Sequence, residues 1–481
     1  MTLLKAEDIT VADRGMTILK PVTLHLDPGE PLVILGETGS GKSLLAQAIM
    51  GTLPPELTAK GRVALGDRML NAGRGADFRG LWGRHIAVLP QEPWLSLDPL
   101  MRAGRQVAEA HRLVRGLPRD AAEAQGRADI SALGLEGAEA RYPHQLSGGM
   151  AQRVAFAAAR AGGAGIVIAD EPTKGLDAAR RDEVADLLLG DLGRGGGLMV
   201  ITHDLALARR IGGRLIVLRA GEVVEEGATA QVMAAPQAAY TRRLIAADPE
   251  HWPDRLPAAE GVPVLSARDL AGERGGRQLF SGISFDLAEG QILGVTGSSG
   301  CGKSTLGDMV LGLVAPAGGS VSHPPGHPAT AYQKLYQDPV AAFPRTRPLG
   351  RALNDVATRH DAGTGAVEAL MPRLGLDPAL LERRPSAVSG GELQRLALLR
   401  LLLVRPRFIF ADEPTSRLDP ITQAQVIRLI SDTVHDTGCA VMLVSHDAAL
   451  IRSTSDAVLS LEPGAVTTPD PVPRPVAGLL R

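Results

Sequence analysis

Cysteine is nearly absent: Cys301 and Cys439 are the only two in 481 residues. That excludes a disulfide framework and a zinc cluster, and it fits a reducing compartment. Charge of one sign is missing as well. A formal net charge of −2 gives no electrostatic argument for nucleic acid or an anionic membrane surface. No run approaches the roughly 20 uninterrupted apolar residues that span a bilayer. The richest stretch, 398–410, contains Arg400, Pro406 and Arg407 and reads as a buried helix running into a strand. Lys5, Glu7 and Asp8 interrupt the N-terminus before an apolar segment can form, so no signal peptide is expected. If the protein works at a membrane, another chain must cross it. What remains, 44% hydrophobic and 22% charged, is the composition of a soluble globular protein.

The chain is too long for one ordinary core, and it repeats itself. A short apolar strand (32–35; 292–295) leads into a Gly-rich loop and a helix. A Gln-bearing loop, a Ser-Gly-Gly element, a strand ending in Asp-Glu and a strand ending in His follow, in the same order in both halves. Strands alternating with helices predict two α/β domains, each with a largely parallel sheet. The expected division is 1–249, a proline-broken exposed linker at 250–261, 262–465, and an irregular proline-rich tail at 466–481.

Gly36-Glu37-Thr38-Gly39-Ser40-Gly41-Lys42-Ser43 and Gly297-Ser298-Ser299-Gly300-Cys301-Gly302-Lys303-Ser304, with Thr305 following, each fit the phosphate-loop pattern after a strand and before a helix. Glycines let backbone N–H groups close around phosphate oxygens, and the helix N-terminus adds positive potential. Lys42 and Lys303 would neutralise the β- and γ-phosphates of ATP, and the Ser43 and Ser304 hydroxyls would ligate Mg²⁺. The strands at 166–169 and 408–411 each deliver an acidic pair at the edge of the sheet where α/β ligands bind. Asp170 and Asp412 would hold the metal through water, and Glu171 and Glu413 would polarise the attacking water. An isolated acidic pair is usually just a solvated loop start, but here Pro-Thr and a later Asp (Asp177, Asp419) recur in both halves. Ser147-Gly148-Gly149 and Ser389-Gly390-Gly391 precede helices. They offer a second anion-binding surface, although a helix N-cap explains Ser-Gly-Gly equally well.

This series resembles the ATP-binding-cassette superfamily, twice over nearly the whole chain. The resemblance implies two P-loop NTPase domains, each with an antiparallel β part and a helical signature subdomain beside its parallel core. It makes Gln91 and Gln337 the Q-loop residues that sense Mg²⁺ and a permease, and makes His203 and His446 the residues that contact the γ-phosphate. It further implies that the two halves close head to tail as an intramolecular pseudo-dimer, pairing the Lys42 loop with Ser389 and the Lys303 loop with Ser147. One position departs from the family. Its adenine-stacking aromatic falls in register with Asp13 and Arg274, and no Tyr, Phe or Trp stands beside either.

Gln91-Glu92-Pro93-Trp94-Leu95-Ser96, Tyr142-Pro143-His144-Gln145, Tyr240-Thr241-Arg242-Arg243-Leu244 and Tyr336-Gln337-Asp338-Pro339 are similar to the peptide and nickel importer group, which includes metallophore systems. That resemblance implies a peripheral subunit on the cytoplasmic face of the inner membrane, beneath two transmembrane permeases fed by a solute-binding protein. The permeases would dock over 93–97 and 339–343, with Trp94 and Phe343 as apolar anchors. A soluble tandem ATPase, acting as a translation factor or in a phosphonate-degrading assembly, stays open as the alternative. The tandem translation factor of the superfamily carries a long charged linker, whereas the one here is short and proline-broken, and a DNA-repair ATPase would need cysteine clusters.

Overall fold

The structure, a computed structural model, describes residues 2–190, 192–255, 261–298, 300–461 and 469–471. Ser299 of the second Gly-rich loop, residues 256–260 and most of the 466–481 tail lie outside the described residues. The chain divides into two compact units, Met1–Ile245 and Ala246–Arg481.

In the first unit, β1 (Leu4–Asp13) and β2 (Met16–Leu26) form a hairpin, and β3 (Pro31–Leu35) runs into α1 (Lys42–Met50). β4 (Leu57–Leu65) and β5 (Arg68–Asn71) complete an antiparallel sheet of order β2-β1-β4-β5. After β6 (Ile86–Leu89) the chain makes three helices, α2 (Ala103–Leu113), α3 (Arg119–Ala132) and α4 (Gly148–Arg160). It then returns through β7 (Ile166–Asp170), α5 (Ala178–Leu189), β8 (Gly197–Thr202), α6 (Leu205–Ile211), β9 (Arg214–Arg219), β10 (Glu222–Ala228), α7 (Thr229–Ala234) and α8 (Ala239–Ala246). The second sheet has the order β10-β9-β3-β8-β7-β6, parallel except for the β9–β10 hairpin.

β3 and β8 are buried at every position, which is why they read as unbroken apolar runs rather than alternating ones. β1 lies in the one-sided sheet and buries only Leu4, Ala6, Ile9 and Val11. These four share a core with Leu45 and Ile49 of α1 and with Ile34, Ile168 and Ile201 of the parallel sheet. The helix that follows the Gly-rich loop is therefore sandwiched between two sheets. A smaller cluster, Leu97, Val107, Ile130 and Val154, gives the three-helix part its own core.

The second unit repeats this plan. β11 (Pro263–Arg274) and β12 (Arg277–Ala288) pair antiparallel, and β13 (Ile292–Gly297) leads to α9 (Lys303–Val310). β14 (Gly318–Ser322), β15 (Tyr332–Leu335), α10 (Leu349–Arg359), α11 (Ala366–Arg373), α12 (Gly390–Leu402) and β16 (Phe408–Asp412) follow. α13 (Pro420–Thr437), β17 (Ala440–Val444), α14 (Ala448–Thr454), β18 (Ala457–Leu461) and β19 (Asp470–Pro471) end the described chain. Its sheets have the orders β12-β11-β14 and β15-β16-β17-β13-β18-β19. The α/β architecture with a parallel core, an antiparallel sheet and a helical part is as the sequence predicts.

The segment expected as an exposed linker is partly structured. Pro249–His251 forms a 3₁₀ turn with Pro249 buried, and Trp252 lies against the apolar core of the second unit. The Arg255 guanidinium donates to the Asp456 carboxylate at 3.1 and 3.2 Å and to the Gly290 carbonyl at 3.1 Å. Three prolines and mixed charge conceal these contacts from a compositional reading.

The two cores solve one contact differently. A Cβ on Gly307 of α9 would fall 2.0 Å from the Phe410 ring of β16. The corresponding pair in the first unit is Ala46 and Ile168. Gly307→Ala should therefore overpack the second core and lower its stability by about 1–3 kcal/mol, despite alanine's better helix propensity. Adding Phe410→Ile should recover most of that loss. Denaturant unfolding of the full chain checks both. An unchanged midpoint for the single variant would show that the ring shifts freely.

Candidate functional site

In each unit the ends of the parallel strands converge on the N-terminus of one helix. Gly36 closes β3 against β9: a Cβ there would stand 2.2 Å from the Leu218 carbonyl oxygen and 2.7 Å from Ser40 Oγ. Gly297, with φ 144°, makes the same approach to the Leu461 carbonyl, at 2.4 Å. The loops then turn into α1 and α9 through Gly41 (φ 99°) and Gly302 (φ 109°). A side chain is excluded at all four places by space or by backbone conformation. Thr38 and Gly39 form the exposed crest of the first loop, and Gly300 that of the second. Ser40 and Cys301 are buried beneath them.

Lys42 and Lys303 are the first residues of their helices, both 6% exposed. The Lys42 ammonium donates to the Gly36 and Glu37 carbonyls at 2.7 and 2.9 Å, and lies 3.9 Å from Glu171 Oε1. Lys303 donates likewise to the Gly297 and Ser298 carbonyls, at 2.8 and 3.1 Å. Each lysine thus curls back over its own loop. Thr305 follows Ser304 in the first turn of α9.

β7 and β16 end on Asp170 and Asp412, and the next residue in each unit is strained. Glu171 (φ 48°) and Glu413 (φ 46°) adopt left-handed backbone, which costs an L-residue roughly 1–2 kcal/mol. Their N–H groups are held by the Ile201 carbonyl (2.8 Å) and the Val444 carbonyl (3.2 Å). Strain of this kind, fixed by the surrounding sheet, is typical of functional positions. It turns the Glu171 carboxylate onto His203, with Oε1 2.7 Å from Nδ1 and Oε2 accepting from the Thr202 hydroxyl at 3.3 Å. Glu413 Oε1 lies 2.6 Å from His446 Nε2, and its other oxygen accepts from the Gln337 amide at 2.8 Å. Burial works against the Glu171 charge, but His203 and Lys42 outweigh it and hold the carboxyl below its usual range.

Asp170 behaves oppositely. Burial raises its carboxyl above the usual range, against the Ser43 hydroxyl bonded to it, and the Glu171 charge adds to the rise. Asp412 is raised for the same first reason, with Ser304 Oγ donating to Oδ1 at 3.2 Å. Asp170 Oδ1 is buried without a hydrogen-bond partner among the described residues. It lines, with Ser43 and Gln91, a cavity of about 720 Å³. A carboxylate with an orphaned oxygen, sharing a cavity with a hydroxyl and an amide, is a hard-oxygen donor set that fits Mg²⁺.

The Ser-Gly-Gly elements stand elsewhere within each unit. Ser147 and Ser389 are exposed N-caps of α4 and α12, accepting from Met150 N at 3.4 Å and Glu392 N at 3.3 Å. Gly148 and Gly390 begin the helices; Gly149 and the buried Gly391 follow. Asp177 and Asp419 prove to be N-caps of α5 and α13.

The docking anchors need correction. Phe343 is only 6% exposed and belongs to the core of the second unit, and Trp94 is half-buried against α4 and its neighbours. The exposed apolar side chains of this region are Leu95 (71%) and Leu100 (87%). A 3₁₀ turn at Pro93–Ser96 rotates the tryptophan inward and the leucine outward.

Two contacts escaped the sequence reading. The buried Tyr240 places its hydroxyl 3.1 Å from the Glu37 N–H, so α8 reaches the first Gly-rich loop. Lys334, a lone lysine in β15, lies beside Asp412. The available signal for the second was a lysine at the strand position where the first unit has Val88.

The family model for ABC transporters matches residues 19–174 and 280–416. The chain belongs to the ABC transporter family, and it carries the nucleotide-binding cassette twice. It is an ATP hydrolase of the fused kind, in which both cassettes share one polypeptide. It is 33% identical to the peptidoglycan transport ATP-binding protein YejF of Agrobacterium fabrum, over 98% of this chain and 92% of that protein. It is 32% identical to the glutathione import ATP-binding protein GsiA of Escherichia coli K12, over 96% of this chain and 85% of that one. Among solved structures, an RNase-L inhibitor aligns at TM-score 0.66 and 22% identity, over 97% of this chain and 90% of that one, a likeness of fold.

Asp13 and Arg274, in register with the family's adenine-stacking aromatic, end β1 and β11. They pair with Met16 and Arg277 across their hairpins, so neither turn offers a ring. Discrimination between ATP and GTP should then be weak, because phosphate contacts are common to both. Competition binding should give a preference below about 100-fold, about 2.7 kcal/mol. A larger preference would mean that another side chain reads the base.

Proposed function

We propose that this chain is the energy-coupling subunit of an importer, binding Mg²⁺ and ATP at both Gly-rich loops and driving two transmembrane permeases. The observation that carries the reading is the recurrence, in both units, of a lysine, an acidic pair and a histidine brought together at the ends of parallel strands. Bound Mg²⁺ would supply neutralisation of phosphate charge. Ser43, Asp170 and Gln91 would hold it in the first unit, and Ser304, Asp412 and Gln337 in the second. Nucleotide oxygens and water would complete the shell.

The backbone N–H groups of the two Gly-rich loops, at 36–43 and 297–305, would embrace the phosphates. Lys42 and Lys303 exchange their carbonyl partners for phosphate oxygens. Glu171 and Glu413 then orient the attacking water, and His203 and His446, released from the carboxylates they now clamp, reach the γ-phosphate. The signature segments at Ser147–Gly149 and Ser389–Gly391 supply the second anion-binding surface, and the two halves of one chain act as a pseudo-dimer.

Support for import comes from the relatives, one a peptidoglycan transport protein and one a glutathione import protein. The proposed cargo is a peptide-type solute delivered by a solute-binding protein, with nickel or a metallophore as the other cargo of the importer group that the sequence resembles. No helix among the described residues is long and apolar enough to cross a membrane. A peripheral position beneath permeases, on the cytoplasmic face, accords with that.

Two outcomes test this function. Glu171→Gln with Glu413→Gln should retain ATP binding while steady-state hydrolysis falls by at least about 100-fold. Near-normal turnover would show that other groups position the water. Leu95→Glu should abolish copurification with the membrane permeases while leaving ATP binding and the unfolding midpoint of the free chain unchanged. Intact assembly would move the docking surface away from this turn.

A further inference from the structure

The metal edges of the two sites are chemically unequal. In the first unit the cavity beside Asp170 and Ser43 is lined by Val88, Gln47 and Ile168. Register with the Gln loops, the Asp strands and the helices starting at Lys42 and Lys303 makes Lys334, Phe410 and Asp308 the counterparts of Val88, Ile168 and Gln47, and the strand pairings agree: Val88 faces Ile168, and Lys334 faces Phe410. The Lys334 ammonium lies 2.7 Å from Asp308 Oδ1 and 3.7 Å from Asp412 Oδ2. Its side chain is 13% exposed and stands over the rings of Tyr336 and Phe410, at 5.6 and 5.4 Å. The first unit has two uncharged side chains where the second has an ion pair touching the carboxylate proposed to hold the metal.

We propose that Lys334 is a built-in counter-cation of the second nucleotide site, which makes that site less dependent on a divalent metal than the first. The inference rests on the reading of Asp170 and Asp412 as metal-holding residues. Two effects act in the same direction. Without metal, the Lys334 charge offsets the repulsion between Asp412 and incoming phosphate oxygens, so nucleotide binding is weakened less. With metal, a fixed positive charge beside Asp412 opposes the divalent ion. Binding linkage is reciprocal, so both effects shrink the factor by which Mg²⁺ strengthens nucleotide binding. Asp308 fixes the lysine in place and offsets part of its charge, but at Asp412 the Lys334 charge is the larger of the two; Lys334 is a positioning and charge-setting residue with no part in bond cleavage.

The experiment uses the full chain with one loop silenced at a time, Lys303→Ala to read the first site and Lys42→Ala to read the second. A fluorescent ATP analogue is titrated in EDTA and in excess Mg²⁺. The Mg²⁺ enhancement should be at least about tenfold larger at the first site than at the second. Lys334→Met with Asp308→Asn, which removes the pair without stranding a charge, should raise the second site's enhancement to that of the first. Lys334→Arg should leave it low, and electron paramagnetic resonance of Mn²⁺ with the analogue should show the same order of metal affinities. Equal enhancement at the two sites overturns the inference and leaves the proposed function standing. So does a double variant that loses stability without changing the enhancement, since that is the signature of a purely structural ion pair. If Mg²⁺ strengthens binding at neither site, the assignment of Asp170 and Asp412 falls, and this inference with it.

Discussion

Each cassette is organised around a charged cluster at the edge of an apolar sheet. Lys42, Glu171 and His203 are all largely withdrawn from water, with side-chain exposures of 6, 11 and 15%. None of them would be stable there alone, because an unpaired buried charge is costly. They are tolerated because the left-handed turn at Glu171 delivers its carboxylate to both the Lys42 ammonium and the His203 ring. That turn needs the parallel neighbour β8 to supply the Ile201 carbonyl, and β8 in turn supplies Thr202 and His203. The sandwiched helix, the Gly-rich loop pressed against β9 and the order of the parallel strands all serve this one juncture. In the second unit Val444, Glu413 and His446 repeat it, with Gln337 as an additional donor.

The cluster is poised, not inert. Lys42 is bound to carbonyls of its own loop, and His203 to the carboxylate it would have to release. Under the proposed function, phosphate oxygens offer the Lys42 ammonium a charge-assisted partner and the His203 ring another acceptor. The same groups that satisfy one another without nucleotide are therefore the ones that nucleotide can recruit.

Much of this was legible in the sequence because the chemistry depends on local order. A Gly-rich loop between strand and helix, an Asp-Glu pair after a buried strand and a histidine after the next buried strand are read along the chain, and the sheet brings them together. What the sequence hid was set by three-dimensional packing. Trp94 and Phe343 look alike as aromatics after a Gln loop, yet one is half-buried and the other is core, because tight turns decide which side chain faces inward. The contact of Tyr240 with Glu37 spans 203 residues and has no local signature. The exchange of Ala46 and Ile168 for Gly307 and Phe410 is visible only once helix and strand are known to touch.

Duplication explains why the halves agree on the cluster and differ around it. The lysine, acidic pair and histidine are constrained by one another, whereas their surroundings need only preserve volume and pair their charges. The signature helices show the same freedom. In α4 the third residue is Met150, and the Ser147 hydroxyl accepts only a long bond from its N–H. In α12 the third residue is Glu392, which completes a capping box: its carboxylate accepts from Ser389 N at 2.9 Å and from Ser389 Oγ at 2.7 Å. Burial disfavours that charge, but the Ser389 bonds outweigh it and hold the carboxyl below its usual range. A carboxylate on the first turn steadies the helix by opposing its dipole, and by the same sign it weakens the pull of that N-terminus on another anion. The α12 cap is thus the firmer, and the first turn of α4 carries no opposing carboxylate, so the two cassettes differ at this helix as well as beside Asp170 and Asp412.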